Sequence, residues 1–240
     1  AWLKCHEPAA FLAALLNSQP MGFYAPAQLV QDARRHGVRV RPADVTASDW
    51  DATLESDPGD PGGAPAVRLG LNLVSGLSRE AGWRIEEARA IQPFASMDAL
   101  ALRARLGRAE LNALAASGAL ETLAGNRRQA LWQAAAGAPE RGLLRTAPIR
   151  EDRVSLPPPT EGETIVADYR SLGLTLGRHP LALLRQALAA RRFLPARVLA
   201  DFPAKTRQDD PEAAFADSVT QRTLAQVQGA RDEVFIVSPY

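Results

Sequence analysis

The sequence predicts a mainly α-helical protein with a few short β-strands. Three observations carry this reading. Apolar residues recur at helical spacings through most of the chain, glycines and prolines cut those runs into short pieces, and alternating stretches occur only briefly between residues 38 and 71. With 46% apolar residues in a chain of 240, a packed core is expected.

The elements follow in order. Over residues 1–19, Trp2, Leu3, Phe11, Leu12, Leu15 and Leu16 share helical spacing, and Pro8 permits a break or a fresh helix start. Gly22 and Pro26 punctuate. Residues 27–36 form a second helix with Leu29, Val30 and Ala33 on one side, closed by Gly37. Val38-Arg39-Val40 alternates like a strand, and 51–55 and 66–71 supply two more around the turn-forming DPGDPGGAP. From 71 to about 133 the pattern is helical in pieces broken at Pro93, Gly107, Gly118 and Gly125. Leu100, Leu102, Leu106, Leu111, Leu114, Leu120 and Leu123 are expected to face inward. Residues 137–163 read as a linker containing an extended Pro157-Pro158-Pro159. Residues 165–176 form an amphipathic helix broken at Gly177, and Pro180 opens a last one over 181–190. Residues 205–232 are polar with weak periodicity, before a short apolar end at 234–237.

Several function classes are excluded or weakened. No run of eighteen apolar residues is present, so no membrane span is expected, and no signal segment opens the chain, which points to the cytoplasm. Cys5 is the sole cysteine, and His6, His36 and His179 share no ligand spacing, so no metal site is expected. Asp49 and Asp51 read as structural and Asp209-Asp210 as solvated, leaving no carboxylate pair for two-metal chemistry. There is no glycine-rich phosphate loop, and Ser75 has no histidine near it in sequence. No catalytic residue and no cofactor is therefore assigned to this chain. The net charge of +1 announces no polyanion partner, and Lys4 and Lys205 are the only lysines, so arginines must be judged by position. The opening Ala1-Trp2-Leu3-Lys4 lacks methionine and reads as part of something longer.

One short stretch does carry chemistry. Val74-Ser75-Gly76-Leu77-Ser78 fits a helix-hairpin-helix turn, apolar-x-Gly-apolar-x, between an apolar run and an amphipathic helix. A helix N-terminus bares backbone N–H groups and the positive end of the dipole, and glycine lets backbone approach a phosphate closely. Ser78 takes the place of the usual second glycine and can cap the helix or bond a phosphate itself. Leu73, Val74, Leu77, Ala81 and Ile85 would pack the two limbs. Ser75, Gly76, Leu77, Ser78, Arg79 and Arg84 are thus candidate DNA-binding residues. A looser second hairpin is expected around Gly118, which adds Arg108, Arg127 and Arg128. The competing reading is a plain turn in a helical bundle, with the arginines solvating helix ends and the whole acting as an adaptor for repair proteins.

Residues 1–50, AWLKCHEPAAFLAALLNSQPMGFYAPAQLVQDARRHGVRVRPADVTASDW, resemble the C-terminal fingers of bacterial C-family DNA polymerases. LLNSQPMGFY and QDARRHGVRVRP lean to the error-prone, damage-inducible relatives of the DNA polymerase III alpha subunit. VRLGLNLVSGLS, PFASMDALALRA and LNALAASGALETLAGNRRQALW resemble that family's tandem helix-hairpin-helix domain, and EGETIVADYRSLGLTLGRHPLALLR its connector before an OB domain. The resemblance implies fingers at 1–65, tandem hairpins at 66–136, a linker at 137–163, a connector at 164–203 and a divergent tail at 204–240 that does not resemble an OB fold. It also implies error-prone, template-directed DNA synthesis in DNA repair, a duplex primer-template as partner and accessory translesion proteins. The palm aspartates and their Mg²⁺ ions would lie upstream, outside this chain, leaving it inactive alone. No clamp-binding peptide is found in 137–163.

Overall fold

The computed structural model describes residues 2–22, 24–56, 63–136 and 155–190. The tail at 204–240 and most of the expected linker lie outside them. The chain divides into two units, Ala1–Leu184 and Arg185–Tyr240. The second contributes only the final residues of one helix to the described part.

In the first unit, α1 (Trp2–His6) and α2 (Pro8–Asn17) are separated where Pro8 takes a first-turn position, as its missing N–H favours. α2 buries Ala9, Leu12, Ala13 and Leu16. At its end Asn17 exchanges two hydrogen bonds with the backbone of Ala52, at 2.9 and 2.7 Å, pinning the helix to the chain before β2. α3 (Pro26–Arg35) ends at Gly37, whose φ of +85° lets Val38 N–H return to the Ala33 carbonyl at 3.0 Å.

The strands are shorter than the sequence suggests: β1 (Val40–Arg41), β2 (Thr53–Glu55) and β3 (Ala66–Arg68). β3 lies between the others, parallel to β1 and antiparallel to β2, with Val67 opposite both Val40 and Leu54. A boundary at 65/66 therefore runs through the sheet, and the segments on either side share one core reaching from Ala9 to Leu174. The Arg68 guanidinium meets the Glu55 carboxylate twice, at 2.7 and 2.9 Å, and Arg41 adds a contact at 3.1 Å. Arg68 holds the Glu55 carboxyl below its ordinary value of 4.5. The pair therefore stabilises the fold above that value, and the contribution is lost as pH falls through the lowered one. In Glu55→Gln, the acid limb of a stability-versus-pH curve from urea titrations should be shallower than in the parent.

Beyond β3 come a single 3₁₀ turn, Leu71–Leu73, then α4 (Arg79–Ile91), α5 (Met97–Arg103), α6 (Arg108–Ser117), α7 (Glu121–Ala124) and α8 (Arg127–Ala136). Leu100, Leu106, Leu111, Leu114 and Leu120 are buried as their spacing predicts, while Leu102 faces out, 51% exposed. Gly82 permits α4 to lie directly on the Trp50 indole, where a β-carbon would come within 3.1 Å of the ring.

Two boundaries differ from expectation. α9 (Glu161–Ser171) starts inside the predicted linker, because Thr160 and Glu163 form a reciprocal capping box. It stops at Ser171 rather than 176. Gly173, at φ +71°, turns the chain so that Leu174 enters the core from a loop, which imitates helical spacing. Pro180 opens α10 (Pro180–Ala190) as predicted, and this helix runs across the division between the units.

Candidate nucleic-acid interface

The first hairpin has an α-helix on one side only. Its first limb is the 3₁₀ turn, held where Leu71 N–H reaches the Asp49 carbonyl and Asn72 N–H the Trp50 carbonyl, each at 2.9 Å. Val74 and Leu77 are buried, whereas Ser75, Gly76, Ser78 and Arg79 face solvent. Gly76 takes φ +85°, which suits glycine, and Leu77 N–H closes the turn on the Val74 carbonyl at 3.2 Å. Ser78 is the extended N-cap of α4 and its Oγ accepts the Ala81 N–H at 3.2 Å. The N–H groups of Gly76, Ser78 and Arg79 meet no acceptor among the described residues. Ser75 is different: its N–H donates to the Ser171 carbonyl at 2.8 Å, so this amide is already used.

A second turn repeats this backbone, at a place other than Gly118. After α5, Arg105 takes φ +52°, Leu106 is buried, Gly107 is the extended N-cap of α6 and Arg108 opens that helix. Position by position, Arg105-Leu106-Gly107-Arg108 repeats Gly76-Leu77-Ser78-Arg79. The N-caps match closely, with φ/ψ of −80°/169° at Gly107 and −81°/155° at Ser78. The Leu-small-Arg triplet was the available signal. It was masked because an arginine, not a glycine, occupies the left-handed position, which costs an L-residue about 1–2 kcal/mol. The expected helix–glycine–helix turn at Gly118 is also present, ending α6 and leading into α7, but Ala119 and Leu120 are buried beyond it, and the Ala119 carbonyl accepts the Val45 N–H at 3.0 Å.

The arginines separate into two sets. Arg79 lies 5.0 Å from the ring of Trp83, itself 47% exposed, and Arg105 and Arg108 face solvent. The second set makes contacts within the protein and corrects two expectations, Arg84 and Arg127. Arg84 spends its guanidinium on the Ala104 carbonyl and Glu110, each at 2.9 Å, stapling α4 to the second turn. Arg127 is buried, bonded to Asp168 at 2.5 Å, Thr164 O at 3.0 Å and Ser117 O at 3.1 Å, so no phosphate can reach it. Arg128 pairs with Glu163 at 3.0 Å but stays at the surface, its side chain 39% exposed. Arg103, which sequence reasoning passed over, donates to the carbonyls of Ala88, Gln92 and Pro93 and lies over Phe94, fixing the angle between α4 and α5.

Comparison with known proteins fits this geometry. Residues 37–130 match the family description "Helix-hairpin-helix motif", spanning both turns. Error-prone DNA polymerase of Aromatoleum aromaticum is 64% identical over 204 residues, and that of Burkholderia pseudomallei 65% over the same length. A more distant one, from Alkalilimnicola ehrlichii, is 57% identical over 203 residues. This chain is kin to one segment of the error-prone DNA polymerases. The matches cover 85%, 84% and 83% of it, in that order, and 19% of each relative's length. Among the described residues no cluster of His, Cys, Asp or Glu could hold a metal ion, and no helix is long and apolar enough to cross a membrane.

Proposed function

We propose that this chain is the part of an error-prone DNA polymerase that holds duplex DNA through its backbone, without regard to sequence, during translesion synthesis. The carrying observation is the duplicated turn: two left-handed residues, each followed by a buried leucine, an extended N-cap and an exposed arginine. At each turn a helix start presents positive potential to a phosphate, and Arg79, Arg105 and Arg108 add charge. Such contacts position a duplex and carry no base information. Ser75, Gly76, Ser78, Arg79 and Arg108 remain interface residues in this reading, Leu77 supports the turn from beneath, and Arg105 and Gly107 join them. Nucleotidyl transfer and its Mg²⁺ ions belong to other parts of such a polymerase, and accessory translesion proteins are partners of the whole enzyme.

The test is fluorescence anisotropy of a labelled duplex across a salt series. Binding should weaken with salt, and alanine at Arg79, Arg105 or Arg108 should each reduce the log–log slope by about 0.9. A flat salt response, or slopes unmoved by all three variants, would favour a protein-binding adaptor instead.

Arg105→Gly separates charge from strain. Glycine relieves the left-handed residue but loosens the unfolded chain, so stability should stay within about 1 kcal/mol of the parent. The salt slope should nevertheless drop by about 0.9, as for Arg105→Ala. Thermal melts and the same anisotropy series measure both.

A further inference from the structure

We infer that Arg170, on α9, is an additional phosphate-binding residue of the first hairpin, so that the connector helix is part of the DNA interface. This deepens the proposed function and rests on it. The link is direct: Ser75 N–H within the turn donates to the carbonyl of Ser171 at 2.8 Å, and Arg170 is the neighbouring residue. The last turn of α9 is therefore fixed against the hairpin backbone.

A groove of about 740 Å³ is lined by Ser75, by Ala113 and Ala116 of α6, and by Val166, Ala167 and Arg170 of α9. Its walls are mostly small apolar side chains, leaving room for a sugar-phosphate strand and no deep slot for a bulky anchor. Arg170 is exposed and meets no partner among the described residues. Glu163, the sole carboxylate among the described residues of the groove, is engaged by Arg128 at 3.0 Å and by Thr160 N–H at 2.8 Å, so its charge is largely offset. A strand held at Gly76 and Ser78 can continue into this groove, where the guanidinium meets the next phosphate. Arg170 also sits in the last turn of α9, where a cation is favourable for the helix itself. The experiment therefore needs a readout that helix stability does not move.

That readout is the salt slope for a labelled duplex, measured on the 240-residue chain beside its melting temperature. Arg170→Ala should lower the slope by about 0.9 and weaken binding roughly fivefold at 0.15 M salt, with the melting temperature nearly unchanged. Arg170→Lys should keep the slope, since a point charge is sufficient for a phosphate. Arg35→Ala, an exposed cation on α3, serves as the control and should leave the slope alone. If Arg170→Ala matches the parent while Arg79→Ala lowers the slope, the assignment of Arg170 fails and the hairpin reading stands. If Arg170→Ala and alanine at Arg79, Arg105 and Arg108 all leave the slope unmoved, both fall.

Discussion

Arg127→Met should destabilise the first unit by about 3–5 kcal/mol, the usual cost of removing one partner from a buried ion pair. The Asp168 carboxylate would lose its 2.5 Å partner while 8% exposed, keeping among the described residues only the Thr175 hydroxyl at 2.6 Å. The Ser117 and Thr164 carbonyls would lose a donor as well. These groups belong to the ends of α6 and α9, so one guanidinium joins three helices. Gly118 belongs to the same arrangement: a β-carbon there would lie 2.6 Å from an Arg127 nitrogen, in a backbone already at φ +82°. The wild-type pair need not be a net stabiliser relative to an apolar one. Arg127→Met combined with Asp168→Leu should therefore recover most of the loss, giving a large coupling in a double-mutant cycle from urea denaturation. A loss under 1 kcal/mol for Arg127→Met alone would mean that Arg127 is solvated after all.

The same residue shows where sequence reading stopped. Gly125-Asn126-Arg127-Arg128 offers two arginines after a glycine, and nothing local tells them apart. Their fates are set by α9, whose Asp168 takes one and Glu163 the other from some forty residues away along the chain. Local signals worked where the cause was local. Pro8 and Pro180 start helices, Gly37 ends one, and Gly76 marks the first hairpin at a position only glycine adopts freely. They failed where tertiary structure overrode preference. Arg105 is held left-handed by the burial of Leu106 next to it, so the second turn carries no glycine at the position where one is sought. Loop leucines at 172 and 174 dip into the core and extend the apparent helix. The arginine richness, which only position could interpret, is partly interior carpentry: Arg84, Arg89 and Arg103 all donate to backbone carbonyls.

Gly70→Ala should be nearly as damaging, for a reason of space and not of charge. A β-carbon at Gly70 would lie 2.6 Å from the Asp51 carbonyl carbon and 2.7 Å from the Ala52 nitrogen, and would press on the Trp50 oxygen. All three are backbone atoms, so no rotamer change relieves the overlap. The chain after β3 must withdraw from residues 49–52, and the two 2.9 Å bonds that seat the 3₁₀ turn are then broken. A loss of about 3 kcal/mol is expected, at the upper end for overpacking. The damage should extend to function, because those bonds place the first limb of the hairpin. Well below its melting temperature, the folded variant should bind duplex DNA more weakly than the parent. Gly107→Ala is the informative contrast: its nearest neighbour would be a Glu110 oxygen at 3.8 Å, and its φ of −80° suits any residue. Its stability should stay close to the parent's in the same denaturation series. If Gly70→Ala melts with the parent and binds duplex equally well, the hairpin is not held by the 49–52 segment, and its geometry must come from α4 and α9 instead.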